Sequence, residues 1–221
     1  MMATPEYSAA RLNMVDSQIR PNKVTDQRVV DAFLAIPRDQ FVPAGLRGVA
    51  YVDTGIAIGK GRFLLEPMVL ARLLNEAKVE ASDIVLDVGT GTGYSAAIIG
   101  RLASTVVALE SDADLAAQAN QAMQTHGIDN AAIMQGPLAA GWAKQGPYNV
   151  IVVQGAVASV PQTLLDQLAE GGRLVAVVLP ESGQGVARLY QKKGGQVTGR
   201  ILFDASATLL PGLESKPDFQ F

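Results

Sequence analysis

The sequence predicts an α/β protein built on a doubly wound, mostly parallel sheet of seven strands, and three observations carry this prediction. Short apolar runs alternate with helical patterns from residue 84 onward, as in βαβ units whose strands lie parallel. The first apolar run enters a turn with three alternating glycines, a feature of nucleotide-binding α/β folds. The last two runs flank residues 192–195 (Lys-Lys-Gly-Gly), which is a hairpin signal and closes the sheet with antiparallel strands.

The residues ahead of the sheet are predicted to form two helices and an irregular segment. Apolar residues at helical spacing predict a first helix that has Thr25 or Asp26 as its N-cap and stops at Pro37. Residues 38–62 are rich in Gly and Pro and are predicted to be irregular. A second helix is expected to begin near Pro67, because proline is tolerated in the first turn of a helix.

The alternating part predicts five buried parallel strands, three connecting helices and the terminal hairpin. The strands are expected at residues 84–88, 105–109, 131–135, 148–154 and 173–179, the helices at 94–102, 112–126 and 161–169, and the hairpin strands at 186–191 and 196–203. A sheet of this kind binds ligands at the carboxyl ends of its strands.

Composition limits the classes of function. The 221 residues, 48% of them hydrophobic, can bury one full core. A net charge of -3 and a pI near 5.2 provide no basic face, so nucleic acid is not expected as a partner. Without Cys and with a single His, neither a metal site nor a Ser-His-Asp triad is expected. No signal peptide or apolar span of ~20 residues is recognised, so we expect a cytoplasmic protein without a membrane partner.

The glycine-rich turn predicts a cofactor site. Gly89, Gly91 and Gly93 follow an apolar strand, and glycines there permit positive φ angles and let backbone N–H groups approach a ligand closely. Asp87 ends that strand, and Glu110 ends the next one about 20 residues later, the usual spacing for a carboxylate that binds ribose. We therefore expect a nucleoside at this edge of the sheet.

The nature of the nucleoside depends on Asp87. The segment from Gly91 to Ala96 also fits the dinucleotide pattern G-x-G-x-x-A. Asp87, however, would repel a pyrophosphate and attract a sulfonium and an amino group. The pattern D-x-G-x-G-x-G with a later acid at a strand end resembles the motif of class I S-adenosylmethionine-dependent methyltransferases. A dinucleotide site and a turn without a ligand are the alternatives.

Several other segments resemble the protein-L-isoaspartate (D-aspartate) O-methyltransferase family, over roughly residues 14–179. They are residues 14–19, 28–33, 36–43, 51–53, 58–61, 89–94, 146–149 and 160–174. The resemblance implies S-adenosyl-L-methionine as the cofactor and repair of damaged protein or peptide by methylation of an isoaspartyl carboxylate. It also implies that residues 1–66 form an N-terminal extension on the substrate side and that residues 67–221 form the cofactor-binding domain, together one structural unit.

The motif and the resemblance together predict two sets of site residues. The cofactor set is Asp87, Gly89, Thr90, Gly91, Thr92, Gly93, Tyr94, Glu110 and Gly136, and the substrate set is Ile58, Gly59, Phe63, Leu64 and Leu65. No catalytic residue and no oligomeric state is assigned. We expect Glu110 to face a solvent-lined crevice, so that Glu110→Ala weakens cofactor binding and barely changes folding. Arg62 and Glu66 are expected to form a solvated pair, and contact of these two residues with a charged substrate is the alternative.

The chain departs from the family pattern in its substrate turn. Where the family reads glycine-glutamine-threonine-isoleucine-serine-glutamine-proline, residues 61–67 read Gly-Arg-Phe-Leu-Leu-Glu-Pro. Phe63 and Leu65 thus replace the two hydroxyl side chains, and Pro137 stands where the family has an acid near the adenine. Two alternatives follow: a methyltransferase of the same fold with a different acceptor, including a small molecule, or a degenerate member that serves as a binding or scaffolding protein.

Overall fold

The computed structural model describes residues 5–181 and 183–214. Residues 1–4 and 215–221, at the ends of the predicted extension and domain, lie outside the described residues, as does residue 182. The strands are β1 (Ile56–Gly59), β2 (Arg62–Leu64), β3 (Ile84–Val88), β4 (Thr105–Glu110), β5 (Ala131–Gln135), β6 (Tyr148–Val157), β7 (Leu168–Val178), β8 (Val186–Lys193) and β9 (Gln196–Asp204). The α-helices are α1 (Pro5–Met14), α2 (Gln27–Ala35), α3 (Pro67–Ala77), α4 (Tyr94–Gly100), α5 (Ala113–Thr125) and α6 (Gln162–Asp166).

Seven strands form one sheet in the order β5-β4-β3-β6-β7-β8-β9. The pairs from β5 to β7 are parallel, and β8 and β9 are antiparallel to their neighbours. The predicted fold class is confirmed. The terminal hairpin turns at Gly194 and Gly195, whose φ angles of 60° and 76° suit a tight turn in which both central residues need positive φ.

The order of the strands reverses between β3 and β6, and this places a switch point beside β3. In such sheets the ligand crevice lies at the carboxyl ends of the strands next to the switch point. Asp87 pairs with Ala108 of β4 and Val152 of β6, so it lies in the middle of the sheet. Glu110 pairs with Gln135 at the end of β4. The sheet therefore brings both acids to one edge.

The hydrophobic core has two layers, one on each face of the sheet. Val85 of β3 belongs to the layer that includes the N-terminal residues Met14 and Phe33, and Leu86 belongs to the opposite layer with Leu138. This alternation follows from the two-residue period of a strand. The N-terminal segment therefore packs on the same core as the sheet. Among the described residues, no helix is long and apolar enough to cross a membrane.

The ends of the early helices agree with the sequence signals. Asp26 is the N-cap of α2, and its carboxylate accepts a hydrogen bond from the backbone N–H of Arg28. Pro67 is the first residue of α3. Helix α6 is shorter than the predicted 161–169, because the chain from Leu168 onward already belongs to β7.

The structure contradicts the sequence at two places, a segment predicted to be irregular and a strand predicted to be buried. Residues 38–62, predicted to be irregular, contain two short 3₁₀ turns and most of the β1–β2 hairpin, which turns through Gly59, Lys60 and Gly61, all with positive φ. The second error is β5, which is partly exposed and not buried, because it is the edge strand of the sheet.

Candidate functional site

The glycine loop connects β3 to α4 with the backbone geometry that its composition suggests. The φ angles of Gly89, Gly91 and Gly93 are 81°, 60° and 92°, in a region where any side chain is strained. The backbone N–H of Gly89 donates to the carbonyl of Leu109 at 2.8 Å. That of Gly91 donates to Glu110 Oε2, also at 2.8 Å. The loop is thus bound to the end of β4 by backbone donors.

The space over the first two glycines is filled by side chains of the β1–β2 hairpin. A β-carbon built on Gly89 would lie 2.9 Å from Arg62 Nη2, and one built on Gly91 would lie 2.5 Å from Ile58 Cδ1. Gly93 is covered differently, by Met123 of α5. The hairpin therefore lies directly on the part of the loop where a bound ligand would make its closest approach.

Glu110 is buried, and the expectation of a solvent-facing carboxylate was wrong. Its side chain is 0% exposed, because the hairpin places Arg62 over the end of β4. Arg62 Nη1 donates to Glu110 Oε1 at 2.6 Å, and Arg62 Nη2 donates to the carbonyl of Gly89 at 2.7 Å. The backbone N–H groups of Ser111 and Asp112 also donate to Oε1, at 2.8 and 3.1 Å.

Arg62 does not form the expected solvated pair with Glu66. The Arg62 side chain is only 3% exposed and is paired with Glu110. Glu66 instead stands at the N-cap position of α3, where its side chain makes no capping hydrogen bond. Burial, with a smaller contribution from the charge of Asp53, raises its pKa. The sequence offered no signal for the Arg62–Glu110 pair, because the two residues are 48 positions apart.

Asp87 lies under the glycine loop and is fully buried. Ser95 Oγ donates to Asp87 Oδ2 at 2.6 Å, and Gln154 Nε2 donates to Oδ1 at 2.7 Å. Burial raises the pKa of Asp87 to about 6, against the opposing effect of these hydrogen bonds. Gln154 was missed from the sequence, although a polar residue near the end of the apolar strand β6 was a usable signal.

The side chains of Thr92 and Tyr94 contact the N-terminal segment. Thr92 Oγ1 donates to the carbonyl of Phe41 at 2.6 Å. The ring of Tyr94 packs edge-on against Phe33 and Phe41, and the Arg38 guanidinium lies 5.0 Å from its centroid. These two residues therefore attach the extension to the loop.

Thr90 and Gly136 complete the predicted cofactor set. Thr90 is buried, with its Oγ1 3.4 Å from Ser95 Oγ. The backbone N–H of Gly136 donates to the carbonyl of Glu110 at 3.0 Å. A β-carbon on Gly136 would lie 3.2 Å from Trp142 Cζ3, so the indole ring lies beside the place predicted for the base.

A cleft of about 270 Å³ lies next to the crevice, between the hairpin and the chain after β9. Of the predicted substrate residues, Phe63 is 41% exposed, whereas Leu64 and Leu65 are each 6% exposed; all three line the cleft. Ile58 is buried on Gly91, and Gly59 lies exposed at the hairpin turn. Other lining residues include Arg62, Glu66, Gln154, Ser206, Thr208 and Leu209.

The arrangement combines a carboxylate suited to hydroxyl groups with a buried anion suited to a cation. Glu110 accepts hydrogen bonds at the end of β4, and Asp87 lies one strand away under the loop. Residues 5–181 and 183–214 contain no group of three or more His, Cys, Asp or Glu side chains positioned to hold a metal ion. The edge of the sheet thus presents two carboxylates whose chemistry suits a nucleoside with a cationic group, and Ile58 and Arg62 of the hairpin lie against the loop beside them.

Comparison with known proteins gives a consistent result. The family model described as protein-L-isoaspartate(D-aspartate) O-methyltransferase matches residues 10–206. A protein-L-isoaspartate O-methyltransferase of Koribacter versatilis is 37% identical over 217 residues, 96% of each chain. One of Methanoculleus marisnigri is 38% identical over 184 residues, covering 83% of this chain and 84% of the relative.

Solved structures agree on the fold. A structure named protein-L-isoaspartate O-methyltransferase superposes with a TM-score of 0.81 at 27% identity, covering 92% of this chain and 67% of that one. A putative protein-L-isoaspartate O-methyltransferase from Plasmodium falciparum, in complex with S-adenosyl-L-homocysteine, superposes with a TM-score of 0.78 at 22% identity, covering 92% and 97%.

Proposed function

The chain belongs to the protein-L-isoaspartate(D-aspartate) O-methyltransferase family, and on that basis we propose that it methylates the free carboxylate of isoaspartyl residues in damaged protein or peptide. The methyl donor is S-adenosyl-L-methionine. The observation that carries the proposal is the position of Glu110, which ends β4 and accepts a hydrogen bond from Gly91 of the glycine loop. Such a carboxylate suits the two hydroxyl groups of a ribose.

The residues of the crevice fit this cofactor once the side chains of the hairpin move off the glycines. Glu110 would hold the ribose, the backbone of Gly89 and Gly91 would approach the ligand, and Gly136 with Trp142 would border the adenine. Asp87, buried under the loop, would contribute a negative charge that favours the cationic sulfonium. When bound, S-adenosylmethionine supplies a methyl group on a cationic sulfur, and its transfer to a carboxylate oxygen breaks the methyl–sulfur bond without moving a proton.

The protein therefore needs no general base for this reaction. An isoaspartyl carboxylate is already anionic at neutral pH, so the contribution of the chain is to bind, to orient and to exclude water. The cleft beside the crevice is suited to that task, because it joins the exposed Phe63 to polar groups such as Gln154 and Thr208.

A second candidate is a methyltransferase with a different acceptor, and the substrate turn favours it. Phe63 lies half-exposed at the mouth of the cleft, and Leu65 is buried where the family pattern has a serine. Neither side chain can replace the hydrogen bonds of the missing hydroxyls. A substrate group left buried and unpaired would cost about 1–3 kcal/mol, or roughly tenfold to a hundredfold in rate or affinity.

Methyl transfer to matched peptides tests the proposal. The protein is incubated with S-adenosylmethionine labelled in its methyl group and with either an isoaspartyl peptide or its normal aspartyl twin. We expect label in the isoaspartyl peptide alone, released by mild base as expected for a methyl ester. Transfer to neither peptide, with binding of the labelled cofactor retained, would rule out isoaspartyl repair and favour the second candidate.

A further inference from the structure

Arg62 belongs to both the crevice and the cleft. Its Nη1 is bound to Glu110 and its Nη2 to the carbonyl of Gly89, at 2.6 and 2.7 Å. The same side chain lines the cleft, and its Nε is buried without a hydrogen-bond partner among the described residues. Arg62 is therefore placed to act on whatever occupies either space.

Arg62 and a ribose would compete for Glu110. If Glu110 binds the ribose hydroxyls, as the proposed function requires, those hydroxyls take the place of Arg62 Nη1 at the carboxylate. Glu110 does not depend on Arg62 for neutralising contacts, because the backbone N–H groups of Gly91, Ser111 and Asp112 also donate to it. A displaced Arg62, in contrast, needs a new anionic partner, since an unpaired charge in a buried site is costly.

The carboxylate of an acceptor in the cleft would be such a partner. Among the described residues that line the cleft, Arg62 is the only positively charged side chain, and Glu66 is the only acidic one. A carboxylate that enters beside Phe63 and Leu209 loses much of its hydration and requires a cation nearby. Arginine suits it well, because the planar guanidinium donates two parallel hydrogen bonds to a carboxylate.

We propose that Arg62 is the specificity-determining residue that recognises the carboxylate of the acceptor, and that binding of the cofactor releases it from Glu110 for this task. The inference rests on the proposed function, and it assigns to Arg62 the binding role that the missing hydroxyls of Phe63 and Leu65 leave open. It also imposes an order: the acceptor binds well only after the nucleoside has taken Glu110.

The variant Arg62→Met tests this inference by calorimetry, since methionine keeps most of the length of the side chain and removes its charge and donors. We expect Arg62→Met to bind S-adenosylhomocysteine about tenfold more tightly than the wild type, because no guanidinium competes for Glu110. With S-adenosylhomocysteine at saturation, the same variant should bind an isoaspartyl peptide about 10- to 100-fold more weakly. These opposite changes are not expected from a general structural defect.

The matched control is Arg200→Gln. Arg200 lies exposed on β9, and its Nη2 pairs with Glu76 Oε2 at 3.2 Å. This variant should change neither affinity. An Arg62→Met protein that binds S-adenosylhomocysteine no more tightly than the wild type, or that binds the peptide equally well, would overturn the proposal. Arg62→Lys provides a second variant that keeps the charge: peptide affinity should fall less than in Arg62→Met, and an equal fall would contradict recognition by charge.

The wild type gives an independent measurement that needs no variant. Its affinity for the isoaspartyl peptide should rise about tenfold or more when S-adenosylhomocysteine is present, and an unchanged affinity would contradict the exchange at Glu110. Failure of this inference can be separated from failure of the proposed function. Methyl transfer to the isoaspartyl peptide with unchanged affinities in Arg62→Met would refute the role of Arg62 alone.

Discussion

Glu110 lies between two walls of the crevice that contribute different kinds of contact. The strand wall, residues 87–93 and 110–112, contributes the backbone N–H groups of Gly91, Ser111 and Asp112. The hairpin wall, residues 56–64, contributes one side chain, the guanidinium of Arg62. The same carboxylate is therefore held by backbone donors on one side and by a side-chain donor on the other.

The difference follows from how each wall is attached to the core. The strand wall continues β3 and β4, which pair in parallel in the middle of the large sheet and are buried on both faces. The hairpin wall forms a separate two-stranded sheet, which joins the core through the buried side chains of Ile56, Ile58 and Leu64. Its contacts to the strand wall include Ile58 on Gly91 and Arg62 on Glu110. The strand wall is thus held by the backbone pairing of the large sheet, whereas the hairpin wall is attached to it through side-chain contacts.

The largest expected effect comes from Glu110→Ala. This change removes one partner of a buried ion pair and leaves Arg62 charged and unpaired, so we expect the free energy of unfolding to fall by about 3–5 kcal/mol. The expectation reverses the one from sequence, in which Glu110 faced solvent. Urea unfolding followed by circular dichroism measures the change.

The double variant Arg62→Met/Glu110→Ala is the control for this prediction. It removes both charges, so it should recover most of the stability that Glu110→Ala loses, as a coupled pair requires. If Glu110→Ala unfolds at the same urea concentration as the wild type, the ion pair does not hold the hairpin wall closed.

The strand wall could be predicted from sequence because its signals are local. Each strand is a short apolar run, and the alternating glycines lie next to one another in the chain; Gly89 and Gly91 were assigned to the loop on that basis and have positive φ. Parallel pairing then brings Asp87 and Glu110 to one edge without further information. Burial of the two acids could not be predicted in this way, because it depends on what covers them.

The hairpin wall could not be predicted because its partners are distant in sequence. The contact of Ile58 with Gly91 spans 33 positions, and that of Arg62 with Glu110 spans 48. Arg62 and Glu66 are at helical spacing, which favours a local pair, and tertiary contacts overrode that preference. The β-branched residues Ile56 and Ile58, two positions apart and both buried, were a usable signal for a strand that the Gly and Pro content obscured.

The next largest effect tests the burial of Asp87 in the strand wall. Its pKa of about 6 in the folded protein lies above the usual 3.8. Between those values the native state holds a proton that the unfolded chain has lost, so stability falls as pH rises through this window. We expect the wild type to lose on the order of 2–3 kcal/mol relative to Asp87→Asn between pH 4 and pH 7.

Asparagine suits this position because it can accept from Gln154 and donate to Ser95, so the variant should fold. Urea unfolding of both proteins at intervals of half a pH unit gives the difference in stability. A difference that does not change between pH 4 and pH 7 would mean that Asp87 is better solvated than its position under the loop indicates.

The smallest effect is expected at the tip of the hairpin wall, where Lys60 pairs with Asp114 of α5 at 3.0 Å. The two side chains are 54% and 71% exposed, and exposed pairs of this kind contribute little to stability. The hydrogen bond and charge of Asp114 raise the pKa of Lys60, so any stabilisation is fully present at neutral pH and is lost only as the pH rises through that pKa.

We expect Lys60→Met, which keeps an unbranched side chain at this positive φ, to leave the unfolding midpoint and the affinity for S-adenosylhomocysteine unchanged at pH 7. Thermal unfolding and calorimetry beside Arg62→Met measure both quantities. If Lys60→Met also tightened the binding of S-adenosylhomocysteine, the exposed tip would share in holding the hairpin closed, and the buried pair at Arg62 would not be the main contact between the two walls.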